Sequence, residues 1–377
     1  MMRRLLALIF LPLIFSCEGK KVEQSQIEFS YTTDTVWVDS KDLLLTVDAG
    51  LRTMILAPDD RYLFFYNAIE KRLDKINLNT YKIERSIQFA PDGPNGIGSL
   101  SLFDLHVTNQ EDFYFSSFDG IRKMDSTGNL LKIYNWDVEE FVSKNIPDKT
   151  IASFSGDYDS EGNFFAGVYG VSRGGRSSGE GLVLIDLIQR TSKTLEVPLL
   201  KSLEDFKIVL EAETNMTNGD EFHLQLIDDR VLISISPVNA IAIYDLKKDS
   251  LYQKSYATNL LPAAKPGNFP RKVNSLEAME EAVKTKYYEP TYGKFTYDPI
   301  SKTFFRFSYY QKETSAGTNE QTVVLSIFDQ ELNLIYELDK APNFTGNVFF
   351  RDGYLHKGIN QNDELSFVRL KPNLNDE

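Results

Sequence analysis

One short unit of strands recurs along this chain, and no copy of it is large enough to bury its own apolar faces. In each copy an apolar strand is followed by a gap and by a second strand ending in an apolar residue and Asp or Asn. A polar turn and a third strand complete the unit. Residues 62–65, 73–77 and 81–89 make the first copy, 113–115, 121–125 and 130–134 the second, and 164–168, 182–186 and 194–197 the third. The fourth is 231–234, 240–245 and 251–256, and the fifth 304–307, 324–329 and 334–338. A sixth has 353–355 and 365–370 and lacks the outer strand. Phe, Tyr, Val, Ile and Leu fill the strands, while Asp, Asn and Gly fill the breaks. Such a unit, repeating about every 50 residues, becomes stable only by stacking on its neighbours.

A further strand precedes most copies, at 102–108, 222–227 and 294–298, which makes four strands per unit. The expected fold class is therefore all-β, a six-bladed β-propeller with four-stranded blades. The strand-like segment 27–38 supplies the strand missing from the sixth unit and closes the ring, which limits exposed sheet edges. No Pro/Gly-rich linker divides the chain, so a single domain is expected over residues 27–371, with a C-terminal tail at 372–377. Two insertions break the rhythm. Residues 199–218 exceed a turn, and residues 274–286 read as a helix with Asn274 and Glu277 as its cap and Leu276, Met279 and Val283 as its apolar stripe. A short helix is expected within 137–144.

Residues 1–16 read as a signal peptide. Arg3 and Arg4 precede an apolar run over 5–15 that is broken only by Pro12 and falls short of the roughly 20 residues needed to span a bilayer. Ile14-Phe15-Ser16-Cys17 resembles a bacterial lipobox, so Cys17 is the expected lipidation site and residues 17–26 the lipidated cysteine with its tether. Cys17 is the only cysteine, which excludes a disulfide framework, and its acylation leaves no thiol for catalysis. The expected localisation is the cell envelope, lipid-anchored in the outer membrane, with the periplasmic or surface face open. The net charge of −13 argues against a nucleic-acid partner and for contact with the membrane through the anchor alone.

The lipobox, the Phe/Tyr-rich units and the segment Tyr292-Gly293-Lys294-Phe295-Thr296-Tyr297-Asp298-Pro299 followed by Thr303-Phe304-Phe305-Arg306-Phe307 form a recognisable pattern. It resembles a family of Bacteroidota lipoproteins with TolB-like six-bladed propellers, named only as a domain of unknown function. The resemblance implies the fold and an envelope location. It carries over no catalytic residues.

Several motifs bear on chemistry. Gly170-Val171-Ser172-Arg173-Gly174 matches G-x-S-x-G, but a glycine-rich run follows where a hydrolase needs a helix, so no catalytic residue is assigned. Arg173 and Arg176 in that loop are ligand-binding candidates through the grip of a loop on an anion, against a plain solvated loop. Asp157-Tyr158-Asp159-Ser160-Glu161-Gly162 starts like a calcium loop, yet its twelfth position is Val168, and Asp125-Ser126-Thr127-Gly128-Asn129 repeats the same turn. His106, Asp157 and His223 fall seven, seven and eight residues before the second strands of their units, so they are the metal-ligand candidates on strands that line a propeller channel. Calcium or another divalent metal would suit that set, and no other cofactor is expected. Tyr287, Tyr288 and Tyr292 are the expected exposed aromatic cluster for ligand binding.

The leading functional reading is a non-enzymatic envelope propeller that binds or scaffolds a protein, peptide or glycan. The alternative is a calcium-dependent propeller hydrolase of lactonase type. A third reading makes the chain a structural subunit of an outer-membrane complex. A shared metal at the axis discriminates the first two.

Overall fold

In the computed structural model, residues 27–376 are described apart from 42, 44, 46, 48–50, 52, 92, 94, 98–103, 118–119, 136–138, 147–149, 152–155, 171–178, 212–215 and 314–318. The fold is all-β. Sheet I runs in the order Ile55–Leu56, Tyr62–Asn67, Arg72–Asn77, Lys82–Gln88. Sheet II has Asp104–Val107, Phe113–Ser117, Gly120–Met124 and Leu130–Tyr134. In sheet III both Thr150–Ile151 and Asp157–Tyr158 pair with Phe164–Gly170, and Gly179–Asp186 and Thr191–Glu196 follow. Sheet IV has Phe222–Ile227, Arg230–Ile235, Val238–Asp245 and Ser250–Ser255. Sheet V has Phe295–Asp298, Thr303–Glu313, Asn319–Phe328 and Leu334–Leu338. Sheet VI runs Val348–Arg351, Tyr354–Gln361, Glu364–Asp376 and, outermost, Ile27–Trp37.

All ladders within these sheets are antiparallel, and their turns follow from strand-end side chains. Asn77 Oδ1 accepts from the backbone N–H groups of Asn79 and Thr80, Asp186 Oδ1 from Ile188 and Gln189, and Asp245 Oδ1 from Lys247 and Lys248. Each such Asx turn exits through a residue of positive φ, Tyr81 at 54°, Arg190 at 54° and Asp249 at 51°. This is why the apolar-Asp/Asn ending recurs in the sequence.

Middle strands such as Tyr62–Asn67 and Arg230–Ile235 are buried on both faces, whereas outer Lys82–Gln88 buries only Ile83 and Ile87. Apolar clusters lie between neighbouring sheets: Phe64 with Phe113 between I and II, Ile121 with Phe165 between II and III, and Leu184 with Val231 between III and IV. Ile243 with Phe304 fills the space between IV and V, Phe307 with Phe350 that between V and VI, and Phe65 with Phe367 that between VI and I.

The strand from 27 pairs with the last strand as expected, Val36 opposite Phe367 and Thr33 opposite Leu370. That last strand runs on to Asp376, which pairs with Ile27, so residues 372–376 belong to sheet VI rather than to a separate tail.

Outside the sheets, the described residues include the α-helices α1 (Glu140–Ser143), α2 (Pro198–Lys201) and α3 (Leu276–Tyr287). The cap of α3 is Ser275, one residue later than expected, and its Oγ accepts from Ala278 N at 3.1 Å. Its packed face is Met279 and Ala282, while Leu276 is 60% exposed. The helix covers a small sheet in which Ile208–Leu210 pairs antiparallel with Met216–Asn218 and parallel with Lys272–Val273. A buried ionic knot stands where this unit meets sheet IV. Asp220 binds Lys265 Nζ at 2.7 Å and Lys286 Nζ at 2.6 Å, and Lys286 also donates to Phe206 O at 2.7 Å.

Candidate functional site

The first strands of the sheets carry polar residues where an apolar alternation would otherwise continue. In Asp104–Val107, Leu105 and Val107 pack toward sheet I, so the pleat turns Asp104 and His106 toward sheet III. In Phe222–Ile227, Phe222, Leu224 and Leu226 pack toward sheet III, which turns His223 and Gln225 toward sheet V.

Side-chain contacts link these strands from sheet to sheet. His106 Nδ1 lies 3.3 Å from Asp157 Oδ1, and Asp157 Oδ2 accepts from Leu226 N at 2.8 Å. Gln225 donates to Phe295 O at 2.8 Å, and Lys294 Nζ donates to Asn347 Oδ1 at 3.3 Å. Asn347 in turn donates to the carbonyls of Leu51 and Met54, which precede the first strand of sheet I.

This polar wall is deep in the molecule yet reached by solvent, with side-chain exposures of 16% for His106 and 31% for Asp157. Burial, reinforced by Asp157, pushes the Asp104 carboxyl up to about 7. Burial also pulls the Lys294 ammonium down, against the attraction of Asp104 and Asp157. His223 falls to about 3, through burial first and then the cations Lys294 and Arg306. The wall therefore holds a neutral imidazole and a carboxyl that titrates near neutrality.

Of the expected metal ligands, the structure joins His106 and Asp157 and leaves His223 apart. Among the described residues no group of three or more His, Cys, Asp or Glu side chains is placed to hold a metal ion, which corrects the expected His106, Asp157, His223 set. Register explains the failure. His106 pairs with Tyr114, the residue after Phe113, and its equivalent in sheet IV is Gln225, which pairs with Leu232, the residue after Val231. His223 sits two residues further along, roughly 7 Å, and its neighbours there are cations rather than carboxylates. The calcium-loop reading gives way to the turn, because Asp159 Oδ1 already accepts from Asn163 N and Phe164 N.

The tyrosine cluster is only partly exposed. Tyr287 is 55% exposed and the half-buried Tyr288 donates to Asn319 Oδ1 at 2.9 Å. Tyr292 is fully buried, a correction to its expected exposure, because it donates to Pro262 O at 2.6 Å and lies under Arg306. Arg173, Arg176 and Cys17 lie outside the described residues.

Sequence reasoning missed Asp104, Lys294 and Arg306. The available signal was a charge inside strongly apolar strands, most plainly Arg306 within Phe304-Phe305-Arg306-Phe307.

Comparison with curated proteins finds no match. Among solved structures the chain is similar to a protein from Bacteroides vulgatus described as a member of the DUF4221 family. The two share 14% identity at a TM-score of 0.64, over 94% of this chain and 100% of that one. A putative exported protein from Bacteroides fragilis gives 8% identity and a TM-score of 0.49, over 92% of this chain and 95% of that one. The β-propeller domain of Cps50 (Swd1) from Myceliophteria thermophila gives 10% identity and a TM-score of 0.44, over 86% and 83%. The family model described as "Domain of unknown function (DUF4221)" matches residues 26–339, and this chain belongs to that family.

Proposed function

We propose that this protein is a six-bladed β-propeller, anchored in the cell envelope through an acylated Cys17, that binds a protein, peptide or glycan at the axial end of its first strands. The observation that carries this reading is the polar wall in which Asp104, His106, Asp157 and His223 on those strands, and Lys294 just before the one in sheet V, follow one another from sheet to sheet. Ring closure is supported by the apolar cluster joining sheets VI and I and by the polar contacts that run from sheet II round to the segment before sheet I.

The full-length protein in detergent tests this by thermal shift against peptides and oligosaccharides. One class should raise the melting temperature, and His106→Ala should reduce the effect. Stabilisation by neither class would overturn the reading, and so would calcium-dependent turnover of an ester or lactone. Acylation predicts that Cys17→Ala moves the protein to soluble fractions. Unchanged partitioning, with no acyl mass on the wild type, counts against the anchor.

A further inference from the structure

We propose that the axial wall where sheets IV and V meet binds an oxyanion, a carboxylate or phosphate group, held by Lys294 and His223 with the Arg306 guanidinium behind them. This rests on the binding reading above and names the chemistry of one ligand group.

Arg306 is 1% exposed. Its Nε donates to Gly293 O at 2.8 Å and its Nη1 to Asn239 Oδ1 at 2.9 Å, while the rings of Tyr292 and Phe295 lie 5.1 and 4.7 Å from Cζ. Nη2 is buried with no hydrogen-bond partner. These partners are neutral oxygens and aromatic faces. A guanidinium so enclosed lacks the counter-ion that usually offsets its desolvation.

The next cation shares the same arrangement. Lys294 follows Gly293, and the hydrogen bond of its ammonium goes to the Asn347 amide oxygen. Asp104 and Asp157 act on it only through space, and Asp104 carries only part of its charge near neutral pH. Gly293 itself admits no side chain, since a Cβ there would stand 2.4 Å from Phe307 O.

His223 completes the set. Gln225, two residues along its strand, donates to Phe295 O, and Phe295 pairs with Arg306 across sheet V. His223 faces this seam, is partly exposed, and takes no hydrogen bond among the described residues. Burial lowers its titration first, and the further lowering by Lys294 and Arg306 agrees with that placement.

Cations whose direct hydrogen bonds go only to neutral oxygens, beside a free imidazole, suit an arriving oxyanion. The overall charge of −13 repels anions at long range, but screening limits that field to about 8 Å at physiological salt. Direct contact falls to Lys294 and His223, because Nη2 of Arg306 is closed from solvent.

The test titrates the full-length protein in detergent with sodium succinate and with sodium phosphate, against sodium chloride at matched ionic strength. Calorimetry and melting temperature are the readouts. At least one anion should bind saturably and stabilise the protein beyond chloride. Lys294→Gln and His223→Gln should each weaken binding by about tenfold or more, with the anion-free melting temperature within about 3 °C of wild type. If Lys294→Gln does not fold, His223→Gln carries the same test. Binding of succinate alone assigns a carboxylate, and of phosphate alone a phosphate group. No stabilisation beyond chloride by either anion overturns the proposal, as does unchanged affinity in the variants. If the anions fail while a peptide or oligosaccharide still binds, this site falls and the binding reading stands. If an anion binds here and the protein also turns over an ester, the binding reading falls and the site stands.

Discussion

The hydroxyl of Tyr81, in the turn before the outer strand of sheet I, lies 3.2 Å from Nε2 of His356 in sheet VI, across a separation of 275 residues in sequence. Nδ1 of His356 lies 3.0 Å from Tyr354 O, and Arg369 Nη1 donates to Tyr81 Oη at 3.1 Å. A carbonyl can only accept, so Nδ1 carries the proton, Nε2 accepts, and Tyr81 relays from Arg369 to the imidazole. The ring is 1% exposed and stacks on Phe349 at 5.0 Å.

Burial above all pushes His356 down to about 4, from an ordinary value of 6.5. Above pH 6.5 the imidazole is neutral whether the chain is folded or not. As pH falls from 6.5 toward 4, the unfolded chain takes a proton that the native ring refuses, and stability is lost. The stability lead of wild type over His356→Gln should therefore shrink by about 2 kcal/mol between pH 7.5 and 4.5. Denaturant unfolding at both pH values measures it, and a lead independent of pH refutes the assignment.

The strand Ile27–Trp37 covers the last strand from Ser366 to Asp376 and contributes Phe29 and Val36 to two separate apolar clusters. Deleting residues 27–38 from the full chain strips those side chains and bares an edge. The melting temperature should fall by about 10 °C or more. An unchanged melting curve would show that the pairing contributes nothing.

Sheets I to VI were legible because period-two alternation and Asx turns act locally: Asn77, Asp186 and Asp245 each build their turn within three residues. The polar wall was less legible. Whether His223 or Gln225 matches His106 depends on a two-residue register that strand spacing does not resolve. The sheet formed by Ile208–Leu210 and Lys272–Val273 was missed because its parallel pairing joins segments far apart in sequence, with no local turn to signal it.

The Asp220 knot fastens that small sheet and α3 to sheet IV with three side chains of 4–5% exposure. Removing the shared partner takes away the carboxylate in direct contact with two buried ammonium groups. Asp220→Ala should cost about 3–5 kcal/mol and speed hydrogen exchange in residues 206–218 and 272–287 before the rest of the chain. Exchange that rises uniformly, or a cost below about 1 kcal/mol, would mean that the knot does not fasten this unit.

Asp104 titrates against the histidines. Its folded value near 7 stands above the ordinary 3.8, because burial and Asp157 disfavour the charged form. Between these values the native carboxyl holds a proton that the unfolded chain has released, so stability falls as pH rises through that window. His356 and His223 have the opposite sign, since their depressed values make stability rise with pH up to about 6.5. The two slopes offset each other in the wild type. Asp104→Asn removes one of them, so the variant should lose stability more steeply than wild type below pH 6.5. Relative to wild type it should gain about 2 kcal/mol between pH 4.5 and 7.5, less than the full shift implies because solvent reaches the wall. Parallel stability profiles for the two proteins would place Asp104 outside the linkage.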